Sequence, residues 1–379
     1  MSDKLPDQES RQIKLLTLAS GDLWAGAEAV VHQIAAGLLG NPSIRHTVAL
    51  LNHGRLETLC SQAGIDTRVI DESRHGFSAI LAKLVAICRA VKPDIIHAHR
   101  YKENLLAAIA AMACGRPRLI TTVHGLSEGM NSTFKGMMKS ALNRFLMRRM
   151  FDMTVAVSND IAISLSERSG VPSKRLATIV NGIDVHNGFP KKTRTLVDTF
   201  TIGSAGRLFP VKDFSIMVDI ARMTCAARTK ARFVLAGDGP EKDAILHRIR
   251  TNGLEDHFTL LGHVDDMQDF YAGLDIYINT SIHEGIPMTV LEAMARRIPV
   301  VAFAVGGLNE IVSHGHDGYL VQHRDAGEFS QYLIELIDDR DRLQRFGDNA
   351  GSTVHKRFST TRMTESYCSA YVRLLGTRS

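Results

Sequence analysis

The chain has 379 residues, enough for two domains that each bury a core, and its 45% hydrophobic and 22% charged residues are those of a globular protein. The net charge of +5 is unevenly spread: residues 1–190 hold 22 Lys/Arg against 16 Asp/Glu, and residues 191–379 hold 23 against 24. A basic N-terminal half suits an anionic partner, but no nucleic-acid motif is present and 6% aromatic residues are few for stacking on bases, so no nucleic acid is expected.

The opening MSDKLPDQESRQ is polar and does not read as a signal peptide, and no apolar run reaches the roughly 20 residues of a membrane helix. Cys60, Cys88, Cys114, Cys225 and Cys368 are scattered without CxxC spacing. They read as reduced thiols, several of them buried, and a cytoplasmic location is expected.

The predicted elements start with a buried strand at Ile13–Ala19 and a helix at Glu28–Leu39. Strands follow at Thr47–Leu51, Asp94–His97, Leu119–Val123 and Thr154–Val157, most of them trailed by a helical stretch. The stretch Phe134–Phe151 carries Lys135, Lys139, Arg144, Arg148 and Arg149 and no acidic residue. Its apolar members Met137, Met138, Leu142, Phe145, Leu146 and Met150 recur at helical spacing. It reads either as an interfacial helix on an anionic bilayer or as a core-packed helix with a solvated basic face. A polar stretch with Pro190 around residues 182–198 predicts the domain boundary. The alternation then restarts with strands at Phe200–Ser204, Arg232–Ala236, Phe258–Leu261, Asp275–Asn279 and Pro299–Phe303, and a helix at Thr361–Leu374 ends the chain. Alternating short strands and helices predict α/β domains with parallel sheets, here two doubly wound, Rossmann-like domains whose ligands sit beyond the C-terminal strand ends.

The polar residues at those strand ends are the candidate site. Gly206 allows a tight turn, and Arg207 and Lys212 offer cations that suit a diphosphate, or are two solvated surface charges. Gly237 lies in a glycine-rich turn, and the backbone at His263–Val264 suits a flat base. The strongest segment is His283–Met294. Gly285, Ile286, Pro287 and Met288 lead into a helix whose N-terminal amides favour an anion, while Glu284 and Glu292 are carboxylates that sugar hydroxyls would satisfy. Gly306-Gly307 reads as a close approach to phosphate or sugar, or as a tight turn alone. In the first half, Ser20–Gly26 is a flexible loop, and His97, His99 and His124 end strands. His97 and His99 are expected on opposite strand faces, hence not on one metal. Asp339-Arg340-Asp341 and Asp265-Asp266 read as solvated turns or helix caps, so no metal is expected.

Taken together, Glu284-x7-Glu292 with Ala293-Met294-Ala295, Gly206-Arg207 with Lys212, Gly237-Asp238-Gly239-Pro240, Val155–Ser158, Asn181–Asp184, His97-Ala98-His99 and Thr122–Gly125 resemble the family 4 glycosyltransferases of the GT-B fold, over nearly the whole chain. The resemblance implies two Rossmann-like domains facing across a cleft. Residues 1–185 would bind the acceptor, residues 199–360 the nucleotide-sugar donor, and residues 361–379 would cross back to the first domain. It implies a retaining hexosyl transfer from a UDP- or GDP-sugar to a glycan, lipid-linked or other hydroxyl acceptor in cell-envelope polysaccharide or lipopolysaccharide synthesis. No cofactor or metal is implied. Arg207 and Lys212 would hold the diphosphate, Glu292 the ribose, Glu284 the donor sugar, and His124 would lie close to that sugar. Family members commonly carry Gly-Gly before Ala-Glu, where this chain has Ala25-Gly26-Ala27-Glu28. The alternatives are a sugar-nucleotide epimerase of the same fold or a non-catalytic nucleotide-sugar-binding protein. A dinucleotide oxidoreductase is disfavoured because no GxGxxG follows a strand.

Overall fold

The computed structural model describes residues 12–22, 24–125, 133–185 and 199–376. The expected polar boundary segment at 186–194 lies outside the described residues. The chain divides into two compact units: Met1–Val157 with Ala162–Ile179 and Met363–Ser379, and Ser158–Ile161 with Val180–Arg362. The second unit therefore takes residues 180–185, where the Ile183 amide donates to the Phe358 carbonyl at 2.9 Å and ties this stretch to the end of that unit.

The first unit runs β1 (Ile13–Ala19), α1 (Gly26–Gly37), β2 (Ile44–Leu50), α2 (Arg55–Gln62), β3 (Asp66–Val69), α3 (Phe77–Val91), β4 (Ile95–Ala98), α4 (Tyr101–Ala113), β5 (Arg118–Val123), α5 (Phe134–Arg149), β6 (Met153–Ala156), α6 (Asn159–Glu167) and β7 (Leu176–Thr178). Its seven strands are all parallel, in the order β3-β2-β1-β4-β5-β6-β7. The central strands are apolar on both faces because helices cover both. Leu15, Leu16, Leu18, Ile95 and Ile96 are all fully buried.

The second unit runs β8 (Phe200–Ala205), α7 (Phe214–Ala227), β9 (Ala231–Ala236), α8 (Lys242–Thr251), β10 (Phe258–Gly262), α9 (Met267–Ala272), β11 (Ile276–Asn279), α10 (Met288–Ala295), β12 (Val300–Phe303), α11 (Leu308–Ile311), β13 (Gly318–Val321), α12 (Ala326–Asp338) and α13 (Arg340–Arg357). Its six parallel strands lie in the order β10-β9-β8-β11-β12-β13. In each sheet the winding reverses at the centre, between β1 and β4 or between β8 and β11. Loops leaving adjacent strands there diverge and leave a crevice at the strand ends.

The last helix, α14 (Thr360–Gly376), packs on the first unit. Tyr367 and Tyr371 drive this packing: both are fully buried, and two such aromatic side chains remove a large apolar area from water. The structure adds three strands that the sequence reading did not contain, β3, β7 and β13. All three lie at a sheet edge, and β3 and β7 have no fully buried residue, so neither carries the continuous apolar run that marks the central strands. All five cysteines are free, and Cys60, Cys88 and Cys225 are buried. Burial pushes the thiols of Cys60 and Cys225 up to about 11 and that of Cys88 up to about 12, so they pack as inert side chains.

Candidate active site

In the second unit, β8 and β11 lie side by side at the winding reversal, and the loops after them meet. Glu284, in the loop after β11, is 8% exposed. Its Oε1 accepts from Lys212 Nζ at 2.5 Å, Ser281 Oγ at 2.6 Å and Asn279 Nδ2 at 3.3 Å. A carboxylate so enclosed needs a cation and donors to offset lost hydration, and here it has all three. The Ser281 loop is braced from behind. Arg324 donates to the Ser281 carbonyl at 2.8 Å and pairs with Asp213 at 2.5 Å. Arg207, in contrast, is exposed, with its guanidinium 5.0 Å above the Phe209 ring. Both expected cations therefore leave the end of one strand, but among the described residues only Lys212 is engaged by a carboxylate.

Glu292 lies in α10, about one turn beyond its start, and is partly exposed. Tyr271 of α9 donates to its Oε2 at 2.7 Å, and Arg296 stacks 4.7 Å from the Tyr271 ring centre. Burial pushes the Glu292 carboxyl above the ordinary range, opposed by the Tyr271 hydrogen bond and by Arg296. Burial, then the Glu292 charge, pushes the Tyr271 phenol well up. Tyr271 was not singled out in the sequence. The signal for it was that a carboxylate among buried Leu291, Ala293 and Met294 must have a donor somewhere.

Glycines let these loops stack on one another. A Cβ at Gly237, which has φ +150°, would sit 1.9 Å from the Gly206 carbonyl oxygen, and one at Gly307 would sit 1.9 Å from the Gly285 oxygen. Gly306 and Gly307 therefore pack directly against the Glu284–Gly285 backbone, and the Gly307 amide donates to the Glu284 carbonyl at 3.1 Å. Gly206, expected to provide a tight turn, is not in the left-handed region, and a Cβ there would meet Phe214 at an ordinary 3.5 Å. The need for glycine lies across the loop, at Gly237. Beyond β10, the Gly262 carbonyl accepts from Gly237 at 2.7 Å; His263 is exposed beside Asp265 and Val264 is half-buried. Ile286, Pro287 and Met288 are buried, and the Ile286 carbonyl accepts from Asn181 Nδ2 at 3.0 Å. Asp266 and Asp339 accept the first amides of α9 and α13, which makes both of them helix caps.

In the first unit, the strand ends of β4 and β5 gather three imidazoles. The expectation that His97 and His99 face opposite ways is wrong: residues two apart on a strand share a face, and their ring centroids lie 4.2 Å apart. His97 is hydrogen-bonded on both nitrogens, to Tyr371 Oη at 2.9 Å and Thr122 Oγ1 at 2.8 Å. His99 Nδ1 and His124 Nε2 are 3.0 Å apart. Burial drives all three into the neutral form, His97 and His124 down to about 3. Nearby, Arg100 pairs with the buried Glu28 at 2.5 Å. Burial raises the Glu28 carboxyl, and Arg100 opposes that shift. Gly26 is the first residue of α1, and the positive φ of that loop belongs to Gly21, at +89°.

Residues 188–353 match the family model for glycosyl transferases group 1, and residues 24–187 match that for glycosyltransferase family 4. The N-acetyl-alpha-D-glucosaminyl L-malate synthase of Bacillus anthracis is 26% identical over 78% of this chain and 79% of its own length. A UDP-Gal:alpha-D-GlcNAc-diphosphoundecaprenol alpha-1,3-galactosyltransferase of Escherichia coli is 25% identical over 75% of this chain and 80% of its own. Among solved structures, Anabaena Alr3699/HepE in complex with UDP and glucose superposes with a TM-score of 0.83 at 23% identity, covering 96% of this chain and 100% of that one. With both halves matched in order on two doubly wound sheets, the chain belongs to the family 4 glycosyltransferases, nucleotide-sugar-dependent enzymes of the GT-B fold.

Proposed function

We propose that this enzyme moves a hexosyl group, with retention of anomeric configuration, from a UDP-sugar to a hydroxyl of a cell-envelope glycan or lipid-linked acceptor. The observation that carries the reading is the Lys212–Glu284 pair, set with Ser281 and Asn279 at the crevice between β8 and β11. Lys212 and Arg207 neutralise the diphosphate as it leaves, where charge grows as the anomeric C–O bond breaks. Glu284 accepts hydroxyls of the donor sugar. Glu292, already held by Tyr271, accepts ribose hydroxyls, and the loop at His263–Val264 takes the base. His124 touches the transferred sugar. The acceptor oxygen forms the new bond to the anomeric carbon, and its proton passes to the departing diphosphate. The fixed cations do the work that a metal does elsewhere, so activity is expected to survive EDTA.

The named relatives, among them the diphosphoundecaprenol galactosyltransferase, favour an envelope acceptor and a uridine donor. The test is a product screen with UDP- and GDP-sugars, with and without lipid-linked and sugar acceptors, reading the anomer by NMR. Inverted product, or turnover with GDP-sugars alone, overturns the corresponding half. An epimerised sugar released without acceptor would restore the epimerase reading.

The same proposal includes a membrane surface for the first unit. Among the described residues no helix is long and apolar enough to cross a bilayer. On α5, however, Phe134, Met138, Leu142 and Phe145 recur at helical spacing with Met137 beside them, and all five are exposed. Leu146 and Met147 hold the helix to the core from the other side. Lys135, Lys139, Arg144, Arg148 and Arg149 are exposed around the apolar face, a pattern suited to the cytoplasmic, anionic leaflet. Flotation on anionic vesicles, lost in Phe134→Ser/Phe145→Ser and absent on neutral vesicles, is the expected result. Equal behaviour on both vesicle types overturns it.

A further inference from the structure

The crevice of the first sheet lies between β1 and β4, where Arg100 follows one strand and the loop to α1 follows the other. Its cations already have carboxylates. Arg100 pairs with Glu28 at 2.5 Å; the Arg100 side chain is 39% exposed and that of Glu28 only 2%. Lys102 pairs with Glu72, which also accepts from Asn52 Nδ2 at 2.9 Å. Arg74, after β3, pairs with Asp71 at 2.9 Å, and Arg55 lies over the Trp24 ring. Asp22, exposed in the loop after β1 and held by Ser20 Oγ at 2.8 Å, adds a further negative charge. His99 and His124 add none, because burial keeps both neutral.

The first half of the chain is nevertheless basic, and its excess lies elsewhere. Lys135, Lys139, Arg144, Arg148 and Arg149 all belong to α5, and without them residues 1–190 are close to neutral. A crevice that takes an anion leaves a cation open to it, as the second sheet leaves Arg207 exposed. Here an anion that reaches Arg100 must share it with Glu28. Glu28 is too deeply buried to turn into water. The anion therefore meets a like charge across the guanidinium, or it strips the pair and leaves a carboxylate buried without its cation. Both outcomes are costly. Sugar hydroxyls meet no such conflict: they accept from Arg100 or Lys102 and donate to Glu72 or Asp22 without displacing a pair.

We propose that the acceptor ring that receives the new bond is an uncharged sugar, and that Glu28 and Glu72 exclude rings bearing a phosphate or carboxylate by neutralising Arg100 and Lys102. Glu28 is the firmer determinant, because its pair is enclosed on one side, whereas both members of the Lys102–Glu72 pair are partly exposed and open to screening. A carrier phosphate one or more rings away falls outside the exclusion. This rests on the reading of the chain as a transferase whose first unit takes the acceptor. It adds the charge class of that acceptor and the residues that set it.

Two measurements on the full chain test it. In the first, the donor site is filled with UDP, inorganic phosphate is titrated in, and the Arg100 side-chain signal is followed by nitrogen-15 NMR, with Arg100→Gln assigning it. Wild type is expected to show no saturable shift up to about 20 mM phosphate, and Glu28→Gln to gain one. In the second, methyl glycosides of hexoses and N-acetylhexosamines are compared as acceptors with their 6-phosphates and uronic-acid counterparts. Wild type is expected to favour the neutral member of a pair by at least about tenfold in kcat/KM, and Glu28→Gln and Glu72→Gln to narrow that ratio by at least about threefold. A saturable phosphate shift at Arg100 in wild type, or a wild-type preference for the charged member, overturns the proposal, and neither needs a variant to fold. An unchanged ratio in both variants overturns the role of the two glutamates. An epimerised sugar released with no transfer to either member would instead remove the transferase reading beneath it, and the phosphate titration would still report whether Arg100 is open to an anion.

Discussion

The two sheets share one winding order but equip their strand ends with opposite chemistry. At the end of β8 and β11 the functional groups are charged: Lys212 against Glu284, with Arg207 exposed beside them. At the end of β4 and β5 they are neutral imidazoles, stacked and hydrogen-bonded, with no formal charge on His97, His99 or His124. The difference follows from what each loop is built on. The second unit brings backbone to backbone through glycines, and around that packed backbone Lys212 pairs with Glu284 while Arg207 stays exposed. The first unit brings side chain to side chain, and α14 closes over His97 with two tyrosines. The same fold thus gathers charge where glycines strip side chains from its loops, and neutral hydrogen-bonding rings where side chains are buried against one another.

The comparison breaks first at the charged end. Lys212→Ala is expected to reduce single-turnover rate at saturating donor by about 10²–10³-fold, with a smaller loss of donor affinity. Glu284→Gln should lower turnover while sparing nucleotide affinity measured by calorimetry. Wild-type rates in Lys212→Ala would mean that the charged end does not meet the diphosphate.

Next in size is the backbone packing that makes that end possible. Gly307→Ala puts a Cβ 1.9 Å from the Gly285 oxygen and should cost about 3 kcal/mol in chemical denaturation, whereas Gly206→Ala, with its nearest contact at 3.5 Å, should cost under about 1 kcal/mol. Equal costs would show that the loops do not depend on glycine where the structure places the close approach.

The neutral end sharpens the contrast through pH. His46, His97, His99 and His124 have folded pKa values pushed below the unfolded value of about 6.5, His46 to about 4. Below pH 6.5 the unfolded chain therefore binds protons that the native chain refuses. Stability is full above that pH and falls by up to about 1.4 kcal/mol per pH unit for each histidine as pH drops toward the folded values. Glu28, Glu103, Glu292 and Asp317, raised by burial, act in the opposite sense as pH falls through their own folded values, so the fall is read from pH 6.5 to 5.5, before lower pH strengthens their opposing contribution. Thermal unfolding across that window, with proton uptake read by calorimetry in two buffers, should show the fall. A flat profile would mean that the imidazoles are not held neutral.

The smallest expected effect concerns Tyr271. Tyr271→Phe removes the 2.7 Å bond to Glu292 and should weaken nucleotide binding by about fivefold, the equivalent of ~1 kcal/mol, without changing the rate at saturation. A rate loss instead would move Glu292 closer to the breaking bond.

The sequence by itself determined the α/β class, the restart of the pattern in the second half and the strand-end residues from Arg207 to Glu292. Alternating short apolar runs and glycine or charged residues after strands are local patterns, and local patterns survive in one dimension. It did not reach β3, β7 or β13, edge strands of three or four residues that pair on one side only, with β2, β6 and β12. Nor did it show that Gly237 rather than Gly206 needs to be glycine, that Tyr271 holds Glu292, or that Tyr371 reaches His97 across 274 positions. Each of these is a partnership between segments distant in sequence. Only the tertiary structure decides it, because burial and hydrogen-bond distance are properties of pairs, and the sequence names just one member at a time.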